Sequence, residues 1–279
     1  MITGIFNSTK ALVAAAVLAA TPFALSAPAH AAGDLLVAPT RIIFDGRRGT
    51  EVILNNVGNE ESTYRISLVL RRMDPNGKLV DVADEEANEK ENAARGVIRY
   101  APRRVTLPPN QPQAIRLGLR GVEQLPDGEY RAHLLFRAIP RAPAATAESQ
   151  AVSGLKIKLI PVYGVTIPVI IRKGRLNASA SISNPRMIAE ERGPVLVLDM
   201  AREGTKSVYG EIRITRQGEA KPALVARGIA VYPEIDARMV KIPLAPEQAA
   251  ALKGPVTIGY YEALSAGGGK IAEIQTVIR

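Results

Sequence analysis

Few residues in this sequence have the chemistry that catalysis needs. The chain of 279 residues contains no cysteine and two histidines, His30 and His133, so a thiol nucleophile and a cysteine-based zinc site are excluded. A serine–histidine–carboxylate site needs two partners around one histidine. The spacing around His133, which alternates with Arg131 and Leu135, does not indicate them. We therefore interpret His133 as a structural or surface residue.

Other catalytic patterns are equally weak. Asp and Glu together number 27, which leaves room for a carboxylate pair that cleaves glycosides, but tryptophan, a common sugar-binding platform, is absent. The glycine run at residues 267–269 is expected in a hairpin turn and lacks the helix that follows a phosphate-binding loop. We expect a protein that is not an enzyme and that holds no metal or cofactor.

A long alternating stretch, residues 155–172, organises the rest of the chain. Apolar residues occupy every second position, which is the period of a β-strand, and the stretch far exceeds the usual strand of about 5 or 6 residues. Pro161 and Pro168 cannot donate ladder hydrogen bonds, which favours an edge strand. Two interpretations stay open: a half-buried strand that only packs, or an edge with which a partner strand pairs.

The N-terminal segment predicts export. Lys10, a short apolar run and the small residues around Ala29 and Ala31 form the three parts of a secretory signal. We expect cleavage after Ala31 and a location in the periplasm. No later run reaches about 18 apolar residues, so we expect no stable membrane insertion.

The charge of the chain suits an acidic partner. The net charge is +9, which favours an acidic surface or a carboxylate. The basic residues are scattered and aromatic residues make up only 4% of the chain, so we expect no nucleic-acid binding.

The order of short alternating segments predicts an all-β protein. Turn residues separate them and helical periods are almost absent, which is typical of antiparallel sandwiches. We place one sandwich at residues 32–174 and a second at 175–279. Residues 34–44 are predicted as one strand, 84–95 as a solvated loop with at most one or two helical turns, and 246–253 as a helix.

Four stretches resemble the periplasmic chaperones of the chaperone-usher pathway, which assemble surface pili. Their common features are a Thr-Arg pair in the first strand, a proline-bearing middle segment, a Leu-Pro to Ile-Pro signature and the end of the long strand. They are residues 38–44, 100–107, 125–140 and 169–172. The resemblance covers residues 34–174 well and the rest only in general plan. Departures within the signature are typical of a divergent archaic or spore-coat-protein-like branch.

The resemblance implies two immunoglobulin-like β-sandwich domains in a boomerang arrangement and a mechanism called donor-strand complementation. Pilus subunits lack their last strand, and the chaperone lends its long edge strand to fill the groove. The implied partners are pilus or fimbrial subunits and an outer-membrane usher, with self-association of the free form as a further option. The alternation selects an apolar donor row of Leu159, Tyr163, Val165, Ile167 and Val169.

The resemblance also implies charged site residues. Arg41 occupies the position of an arginine that binds the subunit's C-terminal carboxylate, for which a guanidinium is well suited. The family's second cation, a lysine, falls near Pro168, so another cation is expected to substitute for it. Glu129 and Arg172 match an interdomain ion pair, with Glu262 as the candidate for its third member. The substitute cations are Lys158, Arg103 or Arg104.

One alternative function remains open from the sequence. A secreted two-domain β-sandwich adhesin or structural surface protein would have the same strand pattern, with its edge strand paired to itself or to a surface partner.

Overall fold

The computed structural model describes residues 35–46, 49–140 and 162–279. The predicted signal segment 1–31 lies outside the described residues, and so do Lys158, Leu159 and Pro161 of the long stretch. The chain folds into two β-sandwiches, as predicted. No helix among the described residues has the length and apolarity to cross a bilayer.

The first sandwich is built from two sheets that enclose one core. One sheet has the strand order β1-β3-β8-β6, and the other has the order β2-β10-β9-β4-β5, with β7 also pairing with β4. The strands are β1 (Leu35–Ala38), β2 (Ile42–Phe44), β3 (Gly49–Asn56), β4 (Ser62–Met73), β5 (Leu79–Val82), β6 (Ile98–Ala101), β7 (Arg104–Leu107), β8 (Gln113–Leu119), β9 (Gly128–Ile139) and β10 (Gly164–Lys173). The core includes the fully buried Leu54, Ile115, Leu134 and Phe136.

The second sandwich has the same plan with its own core. Its sheets have the orders β11-β12-β15 and β14-β13-β16-β17, and the core includes Leu196, Leu198, Ile212 and Ile258. The elements are β11 (Ala178–Glu190), β12 (Gly193–Gly204), β13 (Val208–Arg216), β14 (Leu224–Val231), β15 (Ala237–Pro243), α2 (Pro246–Ala251), β16 (Gly254–Glu262) and β17 (Lys270–Ile278). Helix α2 lies within the predicted segment 246–253.

The first predicted strand, residues 34–44, is two strands in different sheets. β1 pairs with β3, whereas β2 runs parallel to β10 in the opposite sheet. Between them stands Pro39, which has no N–H for a ladder. The chain crosses the sandwich here, and this crossing places Arg41 directly before β2.

The acidic segment 84–95 is also different from the prediction. It leads into helix α1 (Glu89–Val97), whose Ala94 and Val97 are buried in the first core. Asn88 and Glu91 form a capping box at the start of this helix. The Glu91 carboxylate also accepts two hydrogen bonds from the Arg72 guanidinium, each across 2.7 Å. The charge run therefore contributes a packed helix rather than a solvated loop.

Candidate functional site

The edge of β10 is only partly covered. β10 pairs with β9 along its whole length, but with β2 only at residues 169–171. Among the described residues, no strand pairs with the other side of residues 164–168. This stretch is a short free edge at the rim of the first sandwich.

The direction of each backbone group along this edge follows from one hydrogen bond. The Ala138 N–H donates to the Tyr163 carbonyl across 2.9 Å, so the backbone N–H and C=O of Tyr163 face β9. Because successive residues of a strand face opposite sides in the sheet plane, the N–H and C=O of Gly164 and Thr166 face the free edge, together with the Pro168 carbonyl. Pro168 therefore stands where its missing N–H costs no bond to β9.

The predicted apolar donor row is wrong in part. Ile167 and Val169 are 2% and 0% exposed and belong to the first core. Val165 is half-buried and packs against the same core, whereas Tyr163 is 50% exposed. The alternation was assigned correctly, but its apolar face turns toward the protein's own interior once the strand enters the sheet. Leu159 lies outside the described residues.

Arg41 lies at the end of the free edge, because its neighbour Ile42 pairs with Val169. The Arg41 guanidinium stacks over the ring of Tyr209, with its Cζ 4.2 Å from the ring centroid. It donates to the Tyr232 hydroxyl at 3.0 Å and approaches the Ser207 hydroxyl at 3.4 Å. All three contacts come from the second sandwich, so this sandwich orients the guanidinium.

Tyr232 contacts a second arginine. The Cζ of Arg131 lies 3.6 Å from the centroid of the Tyr232 ring, and Arg131 forms an ion pair with Glu234. Glu234 also accepts the backbone N–H of Met73 at 2.8 Å. Tyr209, Tyr232 and Glu234 were not predicted from the sequence, because no local pattern indicates which residues of the second sandwich approach the first.

Glu129 and Arg172 form an ion pair, with 3.0 Å between Nε of Arg172 and Oε2 of Glu129. The Glu129 side chain is almost fully buried. The third member is Ser207, whose N–H and hydroxyl each donate to the same carboxylate oxygen across 3.0 Å. The suggestion of Glu262 as the third member is therefore wrong, since the second sandwich supplies a neutral donor instead of another carboxylate.

Comparison with known proteins yields likeness only at the level of structure. No family model matches the chain, and no curated protein matches its sequence. The YadV chaperone is similar over 88% of this chain and 99% of its own, at 15% identity and a TM-score of 0.46. A chain of the CsuC–CsuE chaperone–tip adhesion subunit complex, from the archaic chaperone-usher Csu pili of Acinetobacter baumannii, is similar over 88% of this chain and 96% of its own, at 14% identity and a TM-score of 0.44.

A third similar structure is that of the Salmonella enterica SafA pilin with the SafB chaperone. It covers 87% of this chain and 95% of the matched one, at 14% identity and a TM-score of 0.43. All three structures contain a chaperone.

His133 is buried rather than on the surface. It lies on β9 opposite Pro168 and Val69, is 1% exposed, and neither ring nitrogen has a hydrogen-bond partner. Burial lowers the pKa of His133 to about 3, and the charges of Arg131, Arg71 and Arg41 act in the same direction. The imidazole is therefore neutral at physiological pH. In the part of the chain that the structure describes, no group of acidic, histidine or cysteine residues could hold a metal ion.

The other predicted cations are not brought to Arg41. Arg103 and Arg104 are exposed, and Arg103 lies over the ring of Tyr100 at 4.9 Å. β7 pairs with β4 near residue 65, on the far side of β4 from β9. Arg104 is therefore four strands away from Arg41, a distance on the order of 20 Å. Lys158 lies outside the described residues.

Proposed function

We propose that this protein is a periplasmic chaperone that binds pilus or fimbrial subunits by donor-strand complementation and delivers them to an outer-membrane usher. The observation that carries the proposal is the free edge of β10 over residues 164–168. Unpaired N–H and C=O groups on a sheet edge are the groups that an added strand requires. The predicted signal segment supports the periplasmic location.

The position of β2 favours one direction for the added strand. β2 runs parallel to β10 and begins beside Val169, so a guest strand on the free edge would lie in line with β2. A guest that also runs parallel to β10 would point its C-terminus at Arg41. A guanidinium held by Tyr232 and Tyr209 is well suited to a terminal carboxylate, because it offers two parallel donors.

The length of the edge limits what backbone pairing alone contributes. A net gain of about 0.5 to 1.5 kcal/mol per hydrogen bond makes pairing over residues 164–168 too weak for a stable complex by itself. Burial of apolar side chains must add to it, at about 25 cal/mol per Å². The exposed Val162 and Tyr163, at 42% and 50% exposure, are suited to this role.

Co-purification tests the proposal. The tagged protein is expressed with the small secreted proteins encoded beside it, and the purified species are weighed by native mass spectrometry. A one-to-one complex is expected for the unmodified protein. It should be lost in Thr166→Pro, which removes an N–H from the free edge but none from the β9 ladder.

Thr166→Val is the matched control, since it changes the same side chain and keeps the N–H. It should retain the complex, and both variants should unfold at similar temperatures. Full recovery of the complex with Thr166→Pro would contradict the proposal. A protein that stays alone with every neighbour would favour the adhesin or structural alternative.

A further inference from the structure

Three arginines lie in one cross-strand row on the outer face of the first sandwich. Arg104 is opposite Arg65, Arg65 is opposite Arg137, and Arg137 is opposite Gly164 of β10. The neighbours of these arginines in sequence, including Tyr64 and Phe136, are buried in the core. The arginines therefore point outward, and all three are exposed. We call Arg104, Arg65 and Arg137 the arginine row.

The arginine row has no acidic partner within the described part of the chain. None of its members belongs to the ion pairs or side-chain hydrogen bonds there. Like charges directly opposite one another on neighbouring strands destabilise a sheet. Among the described residues, the row therefore destabilises the sheet, and an anion bound beside it would offset this repulsion.

Gly164 ends the row at the free edge. A Cβ at this position would lie 3.1 Å from Cδ1 of Leu135, and without one the surface beside Arg137 stays open. A strand added to β10 would lie two strand spacings from β9, about 10 Å. The side chains of an arginine on β9 and a glutamate on the added strand are together long enough to bridge this distance above Gly164.

We propose that the arginine row recognises an acidic side chain, Asp or Glu, on the partner strand at the position that faces Gly164. The inference rests on the proposed strand addition and names a determinant of partner choice within it. Arg137 contacts the carboxylate directly, and Arg65 and Arg104 add to the positive electrostatic potential around it. The anion is a side chain rather than a chain terminus, because a guest parallel to β10 has its C-terminus at Arg41, at the opposite end of the free edge.

Charge variants test the inference on the co-purified complex. Arg137→Gln should weaken affinity about three- to tenfold, in the range of a partly desolvated ion pair, and Arg137→Glu should weaken it more than tenfold. The salt dependence of binding should flatten in both variants. Arg120→Gln, at an exposed arginine after β8, is the matched control and should leave affinity unchanged.

A second readout uses the free protein. Arg65 stands between two like charges, so Arg65→Gln should leave the unfolding temperature unchanged or raise it while it weakens binding. A lowered unfolding temperature together with unchanged binding would mean that the row only supports the fold, and this would overturn the inference.

Synthetic peptides distinguish a side-chain carboxylate from the carboxylate of a peptide C-terminus. The probes are short peptides of alternating valine and threonine with one glutamate at a different position in each, compared with glutamine versions and measured by fluorescence anisotropy. One glutamate position should bind best, and Arg137→Gln should abolish its advantage. The advantage should persist when the peptide C-terminus is amidated.

Loss of the advantage on amidation would assign the row to a terminal carboxylate and overturn the inference. A complex sensitive to Thr166→Pro but insensitive to every change in the arginine row would also overturn it and leave the proposed function standing. A protein that captures neither a secreted neighbour nor any peptide would overturn both.

Discussion

Ser207 donates its backbone N–H and its hydroxyl to the same carboxylate oxygen of Glu129, each across 3.0 Å. Arg172 donates to that oxygen as well, so Oε2 of Glu129 receives donors from both sandwiches. The same hydroxyl lies 3.4 Å from the Arg41 guanidinium. The contact that joins the sandwiches is therefore also part of the environment that orients Arg41.

Ser207→Ala should lower the free energy of unfolding by about 1.5 to 3 kcal/mol, the usual range for a hydrogen bond to a charged group. The Glu129 carboxylate would remain buried and lose one of its donors. Urea unfolding followed by circular dichroism measures the change, with the exposed Ser179→Ala as the control. A loss below about 0.5 kcal/mol would show that the hydroxyl is not needed at Glu129.

Arg41→Ala should abolish recovery of the subunit complex while the protein stays folded. The variant loses stacking on Tyr209, which is worth about 0.5 to 2 kcal/mol, and loses the donors for a carboxylate. Arg41→Lys keeps the charge without the two parallel donors, so it should recover an intermediate amount. Normal recovery from Arg41→Ala would remove Arg41 from the carboxylate site.

His133 should make stability depend on pH in the acidic range. Its pKa is about 3 in the folded protein, against about 6.5 in an unfolded chain. The unfolded state therefore takes up a proton first, and stability falls as the pH drops from 6.5 towards 3. Above 6.5 this contribution is fully present.

The loss attributable to His133 between pH 6.5 and 5 is about 2 kcal/mol, at about 1.4 kcal/mol per pH unit. His133→Leu should lose correspondingly less stability than the unmodified protein over the same interval. Urea titrations of both proteins at several pH values measure the difference. Parallel pH profiles would contradict the neutral, buried state of this imidazole.

Substitutions of Ile167 and Tyr163 should distinguish a loss of stability from a loss of subunit binding. Ile167→Ala opens a cavity in the first core and should cost about 2 to 5 kcal/mol. Tyr163→Ala changes an exposed side chain and should cost less than about 0.5 kcal/mol while reducing recovery of the complex. A large loss of stability with Tyr163→Ala would mean that this side chain serves the fold.

Alternation and turn residues in the sequence were enough to predict most of the strands. The sequence pattern predicts strands at residues 207–216 and 271–278, and β13 (Val208–Arg216) and β17 (Lys270–Ile278) begin and end within one residue of these bounds. The acidic segment was harder to predict, because only two apolar residues of α1, Ala94 and Val97, are buried, and the third buried residue is the charged Glu91. Its capping box at Asn88 and Glu91 was a signal that could have indicated the helix.

The site was less predictable than the fold, for two physical reasons. Alternation identifies two faces of a strand but not which of them turns inward, and this is why Ile167 and Val169 were placed in the donor row. Contacts between distant segments leave no local signal, so the approach of Ser207 and Tyr232 to Arg41 could not be anticipated. The arginine row likewise depends on strand register, which only the folded chain defines.

The alternating directions of the backbone groups along β10 give this strand an internal standard for amide hydrogen exchange. The amides of Gly164 and Thr166 face the free edge and should exchange rapidly in the unbound protein. Those of Val165 and Ile167 face β9 and should be protected throughout. Occupancy of the edge would slow the first pair and leave the second unchanged, so one short stretch of chain reports both the guest strand and the integrity of its host.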